Sequence, residues 1–152
     1  MTKRAGTPNK HVSVQLHGAV QDGQRRRVTI SIVASASGYV MFGVQPTTCP
    51  QLTPYPGGDP NLRSGRSYYG ANAHLYYDGA YKGFGGTFGA GDQVTVQLSR
   101  DRGSQTMRLL FELNHRPQGQ EELMVSEDAV IVVNLYTAGD SAQIVSSTVE
   151  QI

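Results

Sequence analysis

Six of the eight tyrosines in this 152-residue chain fall between Tyr55 and Tyr81, at Tyr55, Tyr68, Tyr69, Tyr76, Tyr77 and Tyr81. A tyrosine presents a rigid apolar ring with a polar tip and loses little conformational freedom on binding, so clustered tyrosines suit a recognition surface. In an extended segment adjacent side chains point to opposite faces. One member of each pair, Tyr68–Tyr69 and Tyr76–Tyr77, therefore belongs to the core, and the other is available at the surface. Arg63, Arg66, His74 and Lys82 lie among these tyrosines and complete a candidate partner-binding set with them.

The other reactive residue types form no catalytic constellation. Glycoside hydrolysis needs two carboxylates held about 5–10 Å apart, and no strand-like segment carries an alternating pair; Glu121–Glu122 and Glu127–Asp128 read as solvated loop residues. His11, His17, His74, His115 and the single cysteine, Cys49, are scattered rather than clustered as metal ligands would be. Cys49 has no neighbouring base for nucleophilic work. The glycine run Gly83-Phe-Gly-Gly-Thr-Phe-Gly-Ala-Gly91 lacks the Gly-Lys-Ser/Thr ending of a phosphate loop, and no helix follows it to receive an anion. Arg25-Arg26-Arg27 is the densest basic cluster, yet a nucleic-acid footprint needs a broader stripe. The reading is a non-enzyme with no cofactor and no metal, and with neither nucleic acid nor membrane as partner.

The elements that position these residues are strands. Only 16% of residues are charged, 38% are hydrophobic, and glycine occurs 18 times, a composition that favours many short strands joined by tight turns. Alternation predicts strands over 11–17, 27–34, 93–99, 106–114 and 142–149. The nearly continuous apolar run Gly38–Val44 predicts a central strand buried on both faces, and Ala129–Tyr136 is the most apolar strand. Short strands are expected at 67–71, 74–77 and 80–81, the last two joined by an Asp78–Gly79 hairpin turn. Five of the seven prolines lie in an irregular loop from Gln45 to Ser67. Lys82–Gly91 is expected to cross between layers with Phe84 and Phe88 as apolar pins, and Gln118–Glu122 reads as polar loop. No window sustains a helical period, so about ten or eleven strands build an antiparallel sandwich or barrel.

Residues 1–10 read as a disordered lead and 11–152 as one domain. The lone cysteine, the lack of an Asn-x-Ser/Thr acceptor and the lack of an apolar leader make an intracellular, cytoplasmic setting the simplest reading. Charge is uneven although the formal net is only +1: six Lys or Arg and one acid occupy the first 27 residues, whereas six acids and no Lys or Arg follow from Glu121. If first and last strands pair, the two ends attract.

In order and spacing, Phe42-Gly43-Val44, Tyr76-Tyr77-Asp78-Gly79, Phe88-Gly89-Ala90-Gly91-Asp92, Val94-Thr-Val-Gln-Leu98 and Leu109-Leu-Phe-Glu-Leu-Asn114 resemble the SPRY (B30.2-like) domain. The resemblance spans about residues 11–148, with three departures. The chain has no tryptophan, Ser99 stands where the family's first alternating strand ends in Asp, and Asn114–His115 stands where the family has Asn-Gly. It implies an all-β, two-sheet sandwich of the concanavalin-like jelly-roll type. It also implies a non-catalytic, adaptor-like module that binds a protein or peptide through rim loops, often within a larger multidomain protein. The expected contact surface combines the loop Thr47–Ser67 with the rim around Tyr76–Lys82. A lectin-like alternative on the same sandwich would hold a sugar with tyrosine faces and Asp59, Asn72 and Asp78. A third reading is an assembly subunit that packs against copies of itself.

Overall fold

A computed structural model describes residues 1–2, 12–16, 18–35, 40–47, 66–69, 73–77, 79–125 and 129–152. They form eleven strands and no helix: β1 (Val12–Leu16), β2 (Gln24–Ala34), β3 (Met41–Pro46), β4 (Arg66–Tyr69), β5 (His74–Tyr77), β6 (Ala80–Gly83), β7 (Gln93–Arg100), β8 (Met107–Leu113), β9 (Arg116–Val125), β10 (Ala129–Leu135) and β11 (Ser141–Gln151). One sheet runs β1-β10-β3-β4-β5-β6 and the other β11-β2-β7-β8-β9, antiparallel throughout. This is the expected all-β two-sheet sandwich.

Alternation explains the layers. Val28, Ile30 and Ile32 of β2, Val94, Val96 and Leu98 of β7, and Leu109 and Phe111 of β8 line one wall of the core. Phe42 and Val44 of β3, Leu75 of β5, and Ile131, Val133 and Leu135 of β10 line the other. Each such side chain removed from water contributes about 1.5–3 kcal/mol before entropy is counted. β3 and β10 are buried along their whole length, on both faces, as unbroken apolar runs in a sheet interior must be. The glycine-rich segment after β6 crosses from one sheet to the other. Phe88 enters the core 5.5 Å from Phe42, and Phe84 stands edge-on to Phe111 at 5.7 Å.

Three expectations are corrected. Gln118–Glu122 is not loop but part of β9, which pairs with β8 at Arg116–Gln118 and again at Leu123–Val125 with a register shift between; its run of Gln and Glu carries no apolar alternation to mark it. The strand expected at Arg27 begins at Gln24, so Arg25 and Arg26 sit in the ladder opposite Glu150 and Val149. β1 and β3 flank β10 in one sheet while β2 lies in the other. Met1 and Thr2 do not belong to a disordered lead. The Met1 amino group donates to Ala142 O at 2.8 Å, the Ala142 N–H donates to Met1 O at 3.0 Å, and Thr2 bridges to Ser141. The sequence's charge asymmetry is realised where β2 meets β11, in an Arg25–Glu150 pair at 3.5 Å.

Polar pairs brace the outer face of the five-stranded sheet. Arg27 on β2 reaches across β7 to grip Glu112 on β8, with Nη2–Oε2 at 2.6 Å and Nη1–Oε1 at 3.1 Å. Gln97 of β7 accepts from the same guanidinium at 3.4 Å, and the buried Thr29 and Thr95 hydroxyls meet at 2.9 Å. At one end of the sheet, Asp92 Oδ2 accepts from Gly89 N and Asp92 Oδ1 from Asn114 Nδ2. This network closes the Gly91–Asp92 step against the β8–β9 turn.

Candidate partner-binding surface

The six-stranded sheet ends in the β5–β6 hairpin, in register Tyr77↔Ala80, Tyr76↔Tyr81, Leu75↔Lys82 and His74↔Gly83. Gly79, in the two-residue connection, has φ of 75°, as the turn expected there requires; Asp78 lies outside the described residues. Leu75 is fixed in the core at 1% exposure, and that single contact sets the pleat. Tyr77 shares its face and packs against the core cluster. His74 and Tyr76 are therefore turned to the opposite, outward face, and Tyr81 joins them from β6.

On that outward face the three rings form one platform. His74 and Tyr81 are stacked with centroids 5.1 Å apart and 25° between planes. Tyr76 lies 5.6 Å from Tyr81 and 6.4 Å from His74. Tyr81 is the most exposed large apolar side chain among the described residues, at 64%. Stacked and tilted ring pairs at these separations hold one another in place. Ala73, just before His74, has φ of 56°, and its carbonyl accepts from Phe84 N at 2.9 Å and Gly85 N at 3.4 Å. The backbone beside the platform is thus held in a left-handed conformation by the crossing segment, the kind of local strain found at binding sites.

The structure brings together only part of the predicted set. His74, Tyr76 and Tyr81 form the platform. Tyr77 and Lys82 occupy the opposite face, with Lys82 Nζ 5.7 Å above the Tyr77 ring, because cross-strand partners share a face and Lys82 opposes Leu75. Arg66, Tyr68 and Tyr69 form β4, paired to β3 and β5 in the register Tyr69↔His74 and Tyr68↔Leu75, so the whole candidate set on β4 to β6 lies in one continuous stretch of sheet. Tyr55 and Arg63, most of the proline-rich loop, and Asp59, Asn72 and Asp78 of the lectin alternative lie outside the described residues. Among the described residues no group of three or more His, Cys, Asp or Glu could hold a metal ion. Ala73 is the residue at the site that composition did not mark, since nothing in its type signals a positive φ.

No protein-family model matches the chain, and no curated protein sequence matches it. Solved structures do. A human SPRY domain crystal structure superposes with a TM-score of 0.75 at 16% identity, covering 93% of this chain and 88% of that one. The SPRY domain of human HERC1 follows with a TM-score of 0.64 at 19% identity, covering 90% of this chain and 83% of that one. The chain has the SPRY fold. The β-sandwich that the ordered motifs implied is therefore present despite the missing tryptophan, and the SPRY likeness extends well beyond the segment Tyr76–Asn114 where the motifs are densest.

Proposed function

We propose that this SPRY-fold domain is a non-catalytic protein-interaction module that holds an extended peptide or protein segment against the outward platform of His74, Tyr76 and Tyr81. The observation that carries the reading is the cluster of three aromatic rings on the outer face of an edge hairpin, Tyr81 stacked on His74 and tilted against Tyr76, with Tyr81 64% exposed. An exposed ring cluster of this kind gains more from being covered than a scattered apolar residue does. The fold supports it, because SPRY structures as a class serve protein interaction. Of the remaining predicted residues on β4, Tyr69 stands opposite His74 in the ladder and is the one in line with the platform, whereas Arg66 and Tyr68 stand opposite Tyr77 and Leu75. The single cysteine supports an intracellular setting for the partner.

Selection of a randomised peptide library against the folded domain tests the proposal. An enriched peptide should lose about thirtyfold in affinity for the Tyr81→Ala variant, the size of an aromatic hot spot of about 2 kcal/mol, with an unchanged melting temperature. Equal binding by Tyr81→Ala, Tyr76→Ala and His74→Ala would remove the platform from the site. A flat ring face also suits a sugar, so a glycan array on the same protein separates the lectin reading: glycan binding lost in Tyr81→Ala, with no peptide enriched, would replace the peptide reading.

A further inference from the structure

β11 is an edge strand of the other sheet. Residues 143–150 of this edge strand are exposed, with Ile144, Val145 and Val149 at 39%, 53% and 47%. The edge already accepts a strand at one end, since Met1 exchanges both backbone hydrogen bonds with Ala142. That pairing runs antiparallel, Thr2 opposite Ser141, so Thr2 leads away from the rest of β11. A register shift between Ile144 and Ser146 interrupts the ladder, and beyond it Ile152 N–H donates inward to Gly23 O at 2.8 Å. Antiparallel alternation then turns the N–H and C=O groups of Ser147, Val149 and Gln151 away from β2.

Arg26 supplies the chemistry. It pairs with Leu98 on one side and Val149 on the other, and so shares their face. Its Nε is shut off from water without an acceptor, and among the described residues its guanidinium makes no hydrogen bond or ion pair. The carboxylates at this end of the sheet are engaged elsewhere: Glu150 with Arg25, Asp101 with Arg108, and Asp22 with Gly103 N. A desolvated cationic nitrogen without a partner is costly, and a carboxylate is the complement it lacks. The same sheet shows how such a pair forms. Arg27, one residue along, spans β7 to reach Glu112 on the strand beyond; Arg26, on the opposite face, has Val149 of β11 as its neighbour towards the edge, and a strand added beyond Val149 lies within the same reach.

We propose that the edge from Ser147 to Gln151 takes an extended segment of a partner protein as an added strand, and that a carboxylate on that segment pairs with Arg26 across Val149. Strand addition at an exposed edge draws affinity from the backbone and specificity from alternate side chains. A second β11 cannot supply the acid. Its Glu150 lies on the face opposite Val149, where it is paired to Arg25.

The test is a titration of the whole ¹⁵N-labelled domain with the capped pentapeptide Val-Thr-Glu-Thr-Val and its Gln counterpart, followed by amide shifts. The Glu peptide should move the Ser147, Val149 and Gln151 amides and bind about tenfold more tightly than the Gln peptide. In Arg26→Gln that preference should vanish while the melting temperature holds. Val149→Pro removes an N–H that β2 does not use, so the domain should stay folded and lose both peptides. No shift at those amides with about 5 mM peptide, a range that detects even millimolar affinity, overturns the proposal. So does a Glu preference that survives in Arg26→Gln, whether or not the proline variant folds. Shifts confined to His74, Tyr76 and Tyr81 would mean that the peptide seeks the aromatic platform, and would overturn strand addition while leaving the platform's role intact.

Discussion

Replacing His115 by glycine should stabilise the domain, and the size of the gain follows from the β8–β9 turn. Leu113 pairs with Arg116, so Asn114 and His115 are the only two residues in the connection, with φ of 49° and 67°. A two-residue hairpin with both central angles positive matches the twist of its strands, and its preferred sequence is Asn-Gly. A left-handed conformation costs a residue with a β-carbon about 1–2 kcal/mol. Glycine's greater freedom in the unfolded chain offsets about 0.5–1 kcal/mol of that relief. The net gain is about 0.5–1 kcal/mol, or a rise in melting temperature of a few degrees at about 2–4 °C per kcal/mol for a chain of this size. Urea and thermal unfolding of the variant, followed by circular dichroism, measure it. His115→Ala keeps the β-carbon and should gain nothing. Asn114→Gly relieves a similar angle but loses two side-chain bonds, Asn114 Nδ2 to Asp92 at 2.9 Å and Gln93 N to Asn114 Oδ1 at 2.9 Å, for a net loss of about 1 kcal/mol. A destabilised His115→Gly, or an equal gain from His115→Ala, would refute the backbone argument.

Removing Arg27 strands Glu112, whose side chain is only 10% exposed. Arg27→Ala should lower stability in urea melts by about 1–3 kcal/mol, the lower end reflecting the partial exposure of the arginine. Gly119→Ala drives a β-carbon into the Phe84 ring at a φ of 79°, and should cost about 2–3 kcal/mol. The same change in a Phe84→Ala background should cost less, a coupling that a double-mutant cycle reads directly. Asp140 is fully buried and accepts from Tyr136 N at 3.1 Å and Thr137 N at 2.8 Å. Asp140→Ala leaves both donors without that acceptor and should cost about 1–3 kcal/mol in thermal unfolding.

Strands that alternate were legible because one face of each is core: Val94, Val96 and Leu98 marked β7, and Leu109, Phe111 and Leu113 marked β8. The unbroken apolar runs marked β3 and β10 for the same reason, with both faces covered. β9 was not legible, since the run from Gln118 to Glu122 carries no apolar alternation and the pairing of Arg116, Pro117 and Gln118 with β8 comes from the Asn114–His115 turn. Sheet membership was hidden too. β1 pairs with β10 and β2 with β11 through contacts more than a hundred residues apart, and no local pattern encodes that choice. At the candidate surface, alternation showed that one of Tyr76 and Tyr77 must face outward. Only Leu75, held in the core opposite Lys82, decides that it is Tyr76, and the same register sends Lys82 to the inner side. The stacking of Tyr81 on His74 arises from the offset between two strands, which residue types do not state.

The most direct test of the interaction surface is amide and side-chain shift mapping of the domain with a peptide enriched from the library. The platform reading predicts the largest changes at the His74, Tyr76 and Tyr81 rings, with the core-side Leu75 and Tyr77 following weakly. Changes that bypass the β5–β6 hairpin altogether would contradict it.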